Sequence, residues 1–173
     1  MMRIFSAGLL LMLSVTVQAQ TLVQLCDSTQ PLANPDSRYQ QAGATVLDKT
    51  TGLMWLRCPL GMSWNGTICT VTGTEDTTYN SEQAKQQADT STAAGYSDWR
   101  LPNVKELFSL VEPACIFPAI NLQVFPNTQA EWFWSSSPYV GDSNYAWFVN
   151  FDYGLVFGLS LRNSYAVRLV RGG

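Results

Sequence analysis

Four cysteines, Cys26, Cys58, Cys69 and Cys115, are the residues of this sequence whose types most clearly allow chemistry. Cysteines can form disulfide bonds, bind a metal ion as thiolates or act as reactive thiols. No two of them have the Cys-x-x-Cys spacing that is typical of zinc and redox motifs. The chain also has no histidine, which excludes Ser-His-Asp and Cys-His triads and any metal site with histidine ligands. The use of the cysteines therefore depends on the compartment.

The N-terminal residues predict that compartment. Arg3 precedes an apolar stretch at residues 4–13, and Val17 and Ala19 form the small-x-small pattern of a signal-peptide cleavage site before Gln20. A membrane anchor and an N-terminal core helix are the alternatives, but the stretch is shorter than the roughly 20 apolar residues that span a bilayer. We therefore predict cleavage after Ala19 and export to the periplasm, the cell surface or the medium.

In an oxidising compartment, an even number of cysteines favours disulfide bonds. Cys58 and Cys69 enclose ten residues that include two glycines and an asparagine, a composition typical of a hairpin-like loop closed by its own bridge. Cys26 then remains for Cys115, and this bridge would tie the N-terminal segment to the end of a helix. The long bridge is assigned by elimination. A metal site made of all four thiolates is the alternative.

The composition is poor in charge and rich in aromatic residues, and the length of 173 residues suits one domain. Hydrophobic residues make up 46%, enough for a core, whereas charged residues make up only 13%. Loss of the signal peptide would leave nine basic residues against 13 acidic ones, a net charge of −4. This balance, without any run of Lys or Arg, argues against nucleic-acid binding. The small size and the aromatic-rich, charge-poor composition favour a binding module over an enzyme.

Two segments combine a helix start signal with a stop signal. Asn80 and Asn103 can each act as an N-cap, and each is followed three residues later by Gln or Glu, the arrangement of a capping box. Gly95 and Pro113 are the predicted ends of the two helices. The residues expected to face the core are Ala84, Ala88 and Gln87 in the first helix, and Val104, Leu107, Leu110 and Val111 in the second.

Short strands are predicted on both sides of these helices. Residues 44–47 and 53–56 flank the turn DKTTG, in which Gly52 would take a positive φ, and they are expected to form a hairpin. Residues 20–42 are polar, contain two prolines and are expected to form an extended segment held by Cys26. With two short helices and about six or seven mostly antiparallel strands, the predicted fold class is α+β.

The C-terminal third of the chain is rich in aromatic and β-branched residues, which favour strands. A turn is predicted at residues 152–154. Because side chains alternate along a strand, residues 147–151 should present one set to the core and one set to the other face. The expected inward set is Trp147, Val149 and Phe151, and the opposite set is Phe148 and Asn150.

Five short blocks follow one another between residues 43 and 173: TGLMW, GYSDWRLPNVKEL, FWSSS, AWFVNFDYG and AVRLVRGG. Each block is weak alone, but the ordered set resembles the Lcl C-terminal domain family, which is named for a bacterial collagen-like adhesin. The resemblance implies a compact C-type-lectin-like domain in its formylglycine-generating-enzyme variant, and it does not imply one function. The expected organisation is a signal peptide (1–19), an extended segment (20–42) and the family domain (43–173).

Structural roles are expected for several residues of these blocks. Trp99 would anchor the core, Arg100 would donate to carbonyls, and the serines at 135–137 would satisfy backbone groups at an irregular strand end. Arg168 and Arg171 are expected to pair with carboxylates or helix-end carbonyls. Binding of a phosphate or sulfate group by these two arginines is the alternative.

Enzyme chemistry is not favoured by the candidate residues. Formylglycine-generating enzymes hold copper with a thiol pair, but this chain has no cysteine in the C-terminal region where that pair would be expected. Ser136 has no neighbouring base to activate it as a nucleophile. Asp142, Asn144 and Asn150 could contribute to a calcium site, which needs about six or more oxygen ligands. We expect no catalytic residue, no metal and no cofactor.

The residues that packing leaves unexplained lie in the C-terminal third. Tyrosine supplies a large, rigid contact area with a polar tip, and asparagine supplies adaptable hydrogen bonds, a mixture common in binding loops. We therefore predict a ligand face here, and the alternative is a set of half-buried sheet residues. The members of the predicted face are Tyr139, Asp142, Asn144, Tyr145, Phe148, Asn150, Tyr153 and Arg162.

These features predict an exported, non-catalytic recognition domain for a carbohydrate or protein ligand, with a role in adhesion. An accessory domain that docks onto another envelope protein and an enzyme of unrecognised type are the alternatives. The adhesin that names the family binds sulfated polysaccharide, which requires a basic face. Because this chain is acidic, with a pI of about 4.8, that ligand is not carried over. Neither a nucleic-acid partner nor a membrane-spanning segment after cleavage is expected.

Overall fold

The computed structural model of the protein describes residues 23–71, 73 and 76–173. The predicted signal peptide and its cleavage site lie outside the described residues. The described residues contain eleven strands and two α-helices: β1 (Leu25–Cys26), β2 (Tyr39–Ala42), β3 (Thr45–Asp48), β4 (Met54–Leu56), β5 (Met62–Trp64), β6 (Cys69–Val71), α1 (Ser81–Thr90), α2 (Val104–Phe108), β7 (Cys115–Ile116), β8 (Trp132–Pro138), β9 (Tyr145–Asn150), β10 (Leu155–Ser160) and β11 (Val170–Arg171). No helix within this part of the chain is both long enough and apolar enough to cross a bilayer.

The strands of the described part form four small antiparallel sheets. Two are pairs, β1–β7 and β5–β6, and the larger two have the strand orders β11–β4–β3–β2 and β10–β9–β8. This architecture confirms the α+β class. The strands outnumber the predicted six or seven because segments expected to be irregular pair locally. Residues 39–42, predicted to be extended, form the edge strand β2 beside β3.

The predicted helix starts are confirmed. The Asn80 side chain accepts a hydrogen bond from the backbone N–H of Gln83 at 2.9 Å, and Asn103 accepts one from Glu106 at 2.9 Å. The reciprocal bonds, from the cap N–H groups to the side chains of Gln83 and Glu106, complete both capping boxes. Local hydrogen bonding therefore sets where both helices begin.

The predicted helix ends are wrong. α1 ends at Thr90 rather than at Gly95, because the next residue adopts an extended backbone. α2 ends at Phe108, well before Pro113. Gln87 is exposed instead of buried, because the two buried alanines of α1 lie one turn apart and leave only a narrow stripe against the core. Both helices are thus shorter than the sequence pattern suggests.

The sheet β10–β9–β8 separates two hydrophobic clusters. Neighbouring residues of a strand point to opposite faces, so each strand supplies both clusters. Phe133 and Val149 belong to the first core, together with Trp55, Leu107 and Phe125. The second core contains Trp134 and Phe148, together with Tyr79, Trp99 and Val167. The middle strand, β9, is therefore covered on both of its faces.

This burial corrects the predicted orientation of β9. Phe148, expected on an exposed face, is 0% exposed, and its ring centroid lies 4.3 Å from that of Trp134. Asn150 is also buried. Trp147, expected in the core, is only half-buried and packs beside Tyr139. The prediction failed because alternation distinguishes the two faces of a strand but does not show that both are covered.

Both predicted disulfides are present. Cys58–Cys69 closes the β5–β6 hairpin, and Cys26–Cys115 joins residues 89 apart within the β1–β7 pair. Cys115 therefore lies in a strand and not at the end of a helix. In the chain-entropy view, the Cys26–Cys115 bridge, which closes the longer loop, stabilises the fold by about 4–5 kcal/mol. Because all four thiols are bonded, the four-thiolate metal site is overturned.

Candidate ligand-binding groove

A groove of about 780 Å³ lies between α1, the start of α2 and the end of β8. We call it the helix–sheet groove. The buried Trp134 and its neighbours Ser135 and Ser136 line its sheet side, and the opposite side is formed by the exposed face of α1. Pro138, Ser143, Tyr145 and Ala146, from the end of β8 to the start of β9, border its mouth. Its volume falls in the range of small-molecule sites, about 300–1,000 Å³.

The serines beside Trp134 are committed to backbone groups. The hydroxyl of Ser135 donates to the carbonyl of Trp147 at 2.6 Å, and that of Ser136 donates to the carbonyl of Pro102 at 3.2 Å. Ser137 accepts a hydrogen bond from the first backbone N–H of α2 at 3.0 Å. The β8–β9 pairing is irregular along this stretch, so the carbonyl of Trp147 bonds to a side chain there. The expected structural role of the serine run is confirmed.

A fixed ion pair forms one end of the groove. Both terminal nitrogens of Arg100 donate to the carboxylate of Glu106 at 2.8 Å, and Arg100 also donates to the carbonyl of Gly172 at 2.7 Å. Burial opposes ionisation of Glu106, but the hydrogen bonds from Arg100 and from the backbone of Asn103 outweigh it and lower the pKa of this carboxyl. The pair therefore stays charged at neutral pH and holds the start of α2 in place.

The mouth of the groove combines apolar surface with uncommitted polar groups. Tyr145 is 39% exposed and borders the groove beside Pro138 and Leu161. Lys85 and Asp89 project from α1 on the opposite side, and neither side chain has a hydrogen bond or ion pair within the described residues. An aromatic face, aliphatic side chains, an ammonium and a carboxylate are thus available to a bound molecule.

The structure brings five of the eight predicted ligand residues to the mouth of the groove or beside it. Tyr145 lines the groove. Asp142 and Asn144 are exposed in the loop before β9, where the Asp142 carboxylate accepts hydrogen bonds from the backbone and side chain of Asn144 at 2.8 and 3.0 Å. The Tyr139 ring packs 6.1 Å from that of Tyr145, and the exposed Arg162 directly follows a lining residue.

The other three predicted residues are not part of this surface. Phe148 is enclosed in the second core, and Asn150 is buried with its side chain bonded to Asp152 at 2.9 Å. Tyr153 is 56% exposed but lies in the turn at the far end of the β9–β10 hairpin, packed on Phe117. At about 3.4 Å per residue, the length of β9 puts this turn roughly 17 Å from Tyr145. One predicted face therefore becomes one cluster and one separate tyrosine.

The three residues predicted as possible calcium ligands do not come together in the structure. Asp142 and Asn144 lie before β9, whereas Asn150 is buried at the other end of the strand. Within residues 23–71, 73 and 76–173, no group of three His, Cys, Asp or Glu side chains is arranged to hold a metal ion. The oxygen atoms at the mouth of the groove are better described as hydrogen-bonding groups.

The two C-terminal arginines have structural partners. Arg168 is fully buried and donates to the carbonyl of Leu56 at 2.9 Å and to the hydroxyl of Thr128 at 2.6 Å. This burial lowers the pKa of Arg168 to about 9. Arg171 forms the expected ion pair with a carboxylate, that of Asp98, at 2.7 Å. A phosphate-binding role for Arg168 is therefore wrong, because the guanidinium is inaccessible.

Sequence reasoning missed the contribution of α1. Lys85 and Asp89 stand one turn apart on a polar helix face, a pattern that usually indicates only a solvated surface. Leu101 and Glu106 belong to the recognised block GYSDWRLPNVKEL, but they were not expected to line a groove. No local signal shows that α1 packs across from the end of β8.

Comparison with known proteins assigns the chain to a family. No curated protein matches it. The family described as the Lcl C-terminal domain matches residues 44–171, from β3 to β11, and so includes α1, α2, β8 and β9, which line the groove. The match covers most of the 173-residue chain and agrees with the ordered motif blocks. The protein belongs to the Lcl C-terminal domain family.

Proposed function

We propose that this protein is an exported, non-catalytic recognition domain that binds a carbohydrate in the helix–sheet groove. The observation that carries the proposal is the pairing of the exposed Tyr145 with the uncommitted Lys85 and Asp89 across an open groove of about 780 Å³. A sugar ring offers C–H faces to an aromatic ring and hydroxyls to charged or polar side chains. The groove offers both kinds of contact to one ligand.

Several features support binding rather than catalysis. All four cysteines are bonded in disulfides, so no free thiol remains for nucleophilic or copper chemistry. Glu106 is held ionised by Arg100, which makes it a poor proton donor. The hydroxyls of Ser135 and Ser136 donate to backbone carbonyls rather than to a base. The carboxylate of Glu106 and the hydroxyls of Ser135 and Ser136 thus stabilise the fold.

Export is supported by the disulfides and by the N-terminal sequence. Disulfides persist in the periplasm and outside the cell, whereas the cytosol keeps most thiols reduced. Both bridges join elements of the folded domain, one across the β1–β7 pair and one across the β5–β6 hairpin. A fold that depends on them is suited to an oxidising compartment, and the N-terminal residues 1–19 have the pattern that directs a chain there.

A glycan array probed with the oxidised chain lacking residues 1–19 tests the proposal. We expect binding to a restricted set of sugars, which Tyr145→Ala weakens by about fivefold or more if the ring is a contact anchor. Tyr153→Ala is the matched control, because it removes another exposed tyrosine, from the far end of the hairpin. No glycan binding, or equal losses in the two variants, would contradict the proposal.

An accessory role in docking onto another envelope protein is the second candidate. The observation in its favour is Val140, which is 87% exposed in the loop that follows β8. A pull-down from the producing cell that recovers one envelope protein would favour this role, provided that Val140→Asp abolishes the capture. Glycan binding that survives Val140→Asp would instead favour the groove.

A further inference from the structure

Strand β10 is the open edge of the three-stranded sheet. The sheet order is β10–β9–β8, and the outer side of β8 is occupied. The backbone of Trp134 donates to the carbonyl of Ala166 at 2.9 Å, and that of Ser136 donates to Pro102 at 2.7 Å. No strand of the described part of the chain pairs with the outer side of β10. The sheet therefore ends in a strand with unpaired backbone groups.

The backbone hydrogen bond of Leu161, the residue after β10, shows which residues of β10 bond to β9 and which point away from it. The backbone N–H of Leu161 donates inward, to the carbonyl of Asn144, at 2.8 Å. Because hydrogen-bonded and non-bonded positions alternate in an antiparallel pair, the odd-numbered residues of β10 bond to β9. The backbone groups of Val156, Gly158 and Ser160 then point outward. No backbone bond from another element reaches these three residues within the described chain.

This edge lacks the usual protection against pairing. Exposed edge strands commonly carry a charge, a proline or a bulge that blocks another strand. The sequence of β10 is LVFGLS, without a charged residue or proline, and its six residues pair with β9 in continuous register. Leu155 and Phe157 are 48% and 47% exposed, respectively, so the edge is also apolar.

We propose that β10 pairs antiparallel with β10 of a second copy of this chain, centred on Gly158, to form a six-stranded sheet across a twofold axis. In this register Gly158 faces its own counterpart, and Val156 faces Ser160 of the second copy. All three outward-pointing residues of each strand then exchange backbone hydrogen bonds. A twofold axis requires a self-complementary surface, and this edge provides one.

The side chains fit the same register. Phe157 lies opposite Leu159 of the second copy, on the face where its ring already packs on Trp132 with centroids 5.4 Å apart. The pairing thereby covers the partly exposed side chains of Phe157 and Leu159 in each copy. Gly158 at the centre has no side chain of its own, and the Tyr139 ring covers it from the opposite face. Apolar pairing therefore accompanies the backbone bonds.

Charge complementarity selects a second copy of this chain as the occupant. Asp152 precedes β10, and the exposed Arg162 follows it. Antiparallel pairing brings Arg162 of each copy to the turn that carries Asp152 of the other, so the contact occurs twice. Neither residue has an ion pair within the described chain.

Sedimentation of the oxidised chain lacking residues 1–19, over a wide dilution series, tests the proposal together with amide hydrogen exchange. We expect a reversible monomer–dimer equilibrium. The amides of Val156, Gly158 and Ser160 should gain protection with concentration, whereas those of Phe157 and Leu159 should be protected in the monomer too. A monomer at every concentration, or a dimer without this alternation, would overturn the proposal.

Charge reversal identifies the register. Arg162→Glu and Asp152→Lys should each raise the dimer dissociation constant by about tenfold, because each change affects two symmetric contacts. The double variant should recover most of the affinity. Lys49→Glu makes the same charge change in an exposed turn outside this sheet and should have no effect. Equal effects of Lys49→Glu and Arg162→Glu, or no recovery in the double variant, would contradict pairing in this register.

Discussion

The ring of Tyr139 lies directly over Gly158: a Cβ atom added at Gly158 would be 2.4 Å from two carbons of that ring. This contact explains a glycine in the interior of β10, where glycine normally weakens a strand. The Tyr139 ring also lies 4.8 Å from that of Trp147 and 6.1 Å from that of Tyr145, measured between centroids. The four residues connect the open sheet edge with the mouth of the groove.

Gly158→Ala is expected to displace the Tyr139 ring and to lower the free energy of unfolding by about 1–2 kcal/mol. The same substitution in a Tyr139→Ala background should cost much less, because the clashing ring is absent. Urea unfolding at a concentration where the protein is monomeric measures both differences. An equal cost of Gly158→Ala in the two backgrounds would show that the contact is not responsible.

Trp134 of β8 and Trp147 of β9 should contribute differently to the free energy of unfolding. Trp134→Ala should destabilise the fold by about 3–5 kcal/mol, because the side chain is buried in the second core and its indole N–H donates to the carbonyl of Tyr79. Trp147→Ala should cost clearly less, since Trp147 is half-buried. Thermal unfolding of the two variants gives the comparison. The reverse order would contradict the observed orientation of β9.

Glu112 holds the N-terminal segment against the loop after α2. Its fully buried carboxylate accepts hydrogen bonds from the backbone N–H groups of Ala33 at 3.2 Å, Asn34 at 2.7 Å and Ala114 at 3.1 Å. Glu112→Gln replaces one acceptor by a donor and should cost about 2 kcal/mol. The amides of residues 33 and 34 should then exchange faster, as hydrogen–deuterium exchange can measure. Glu82→Gln, an exposed change on α1, is the control and should alter neither quantity.

Stability should fall in acid because of Asp48. Burial opposes ionisation of this carboxyl, but hydrogen bonds from Arg38, Thr51 and the backbone of Thr50 outweigh it and lower its pKa. A lowered pKa in the folded state stabilises the fold above the unfolded-state pKa, about 3.9, and this contribution is lost as pH falls through the folded-state pKa.

The pH series is best run as a comparison of two chains. Urea unfolding of the wild type should show a steady loss of stability below about pH 4. Asp48→Asn should be less stable at pH 7 by about 3 kcal/mol, because Arg38 loses its charged partner, and its remaining pH dependence should be weaker. An unchanged acid slope in Asp48→Asn would assign the acid loss to other carboxyls.

Features stabilised within a few residues were predictable from the sequence. Asn80 and Asn103 begin helices because their side chains bond backbone groups three residues away. Gly52 takes the positive φ expected of the turn between β3 and β4. The bridge between Cys58 and Cys69 closes a short, turn-rich loop. In each case the interaction that decides the structure lies within the segment itself.

Which surface covers each face of β9, and which elements meet across the groove, depended on the tertiary structure. Phe148 and Trp147 exchanged their expected environments because two cores, built from residues distant in sequence, cover the middle strand on both sides. Lys85 lines the groove because α1 packs across from the end of β8. Local patterns such as capping and alternation reflect interactions between residues that are close in sequence. Burial results from contacts between distant segments, and the periodicity of one segment does not encode those contacts.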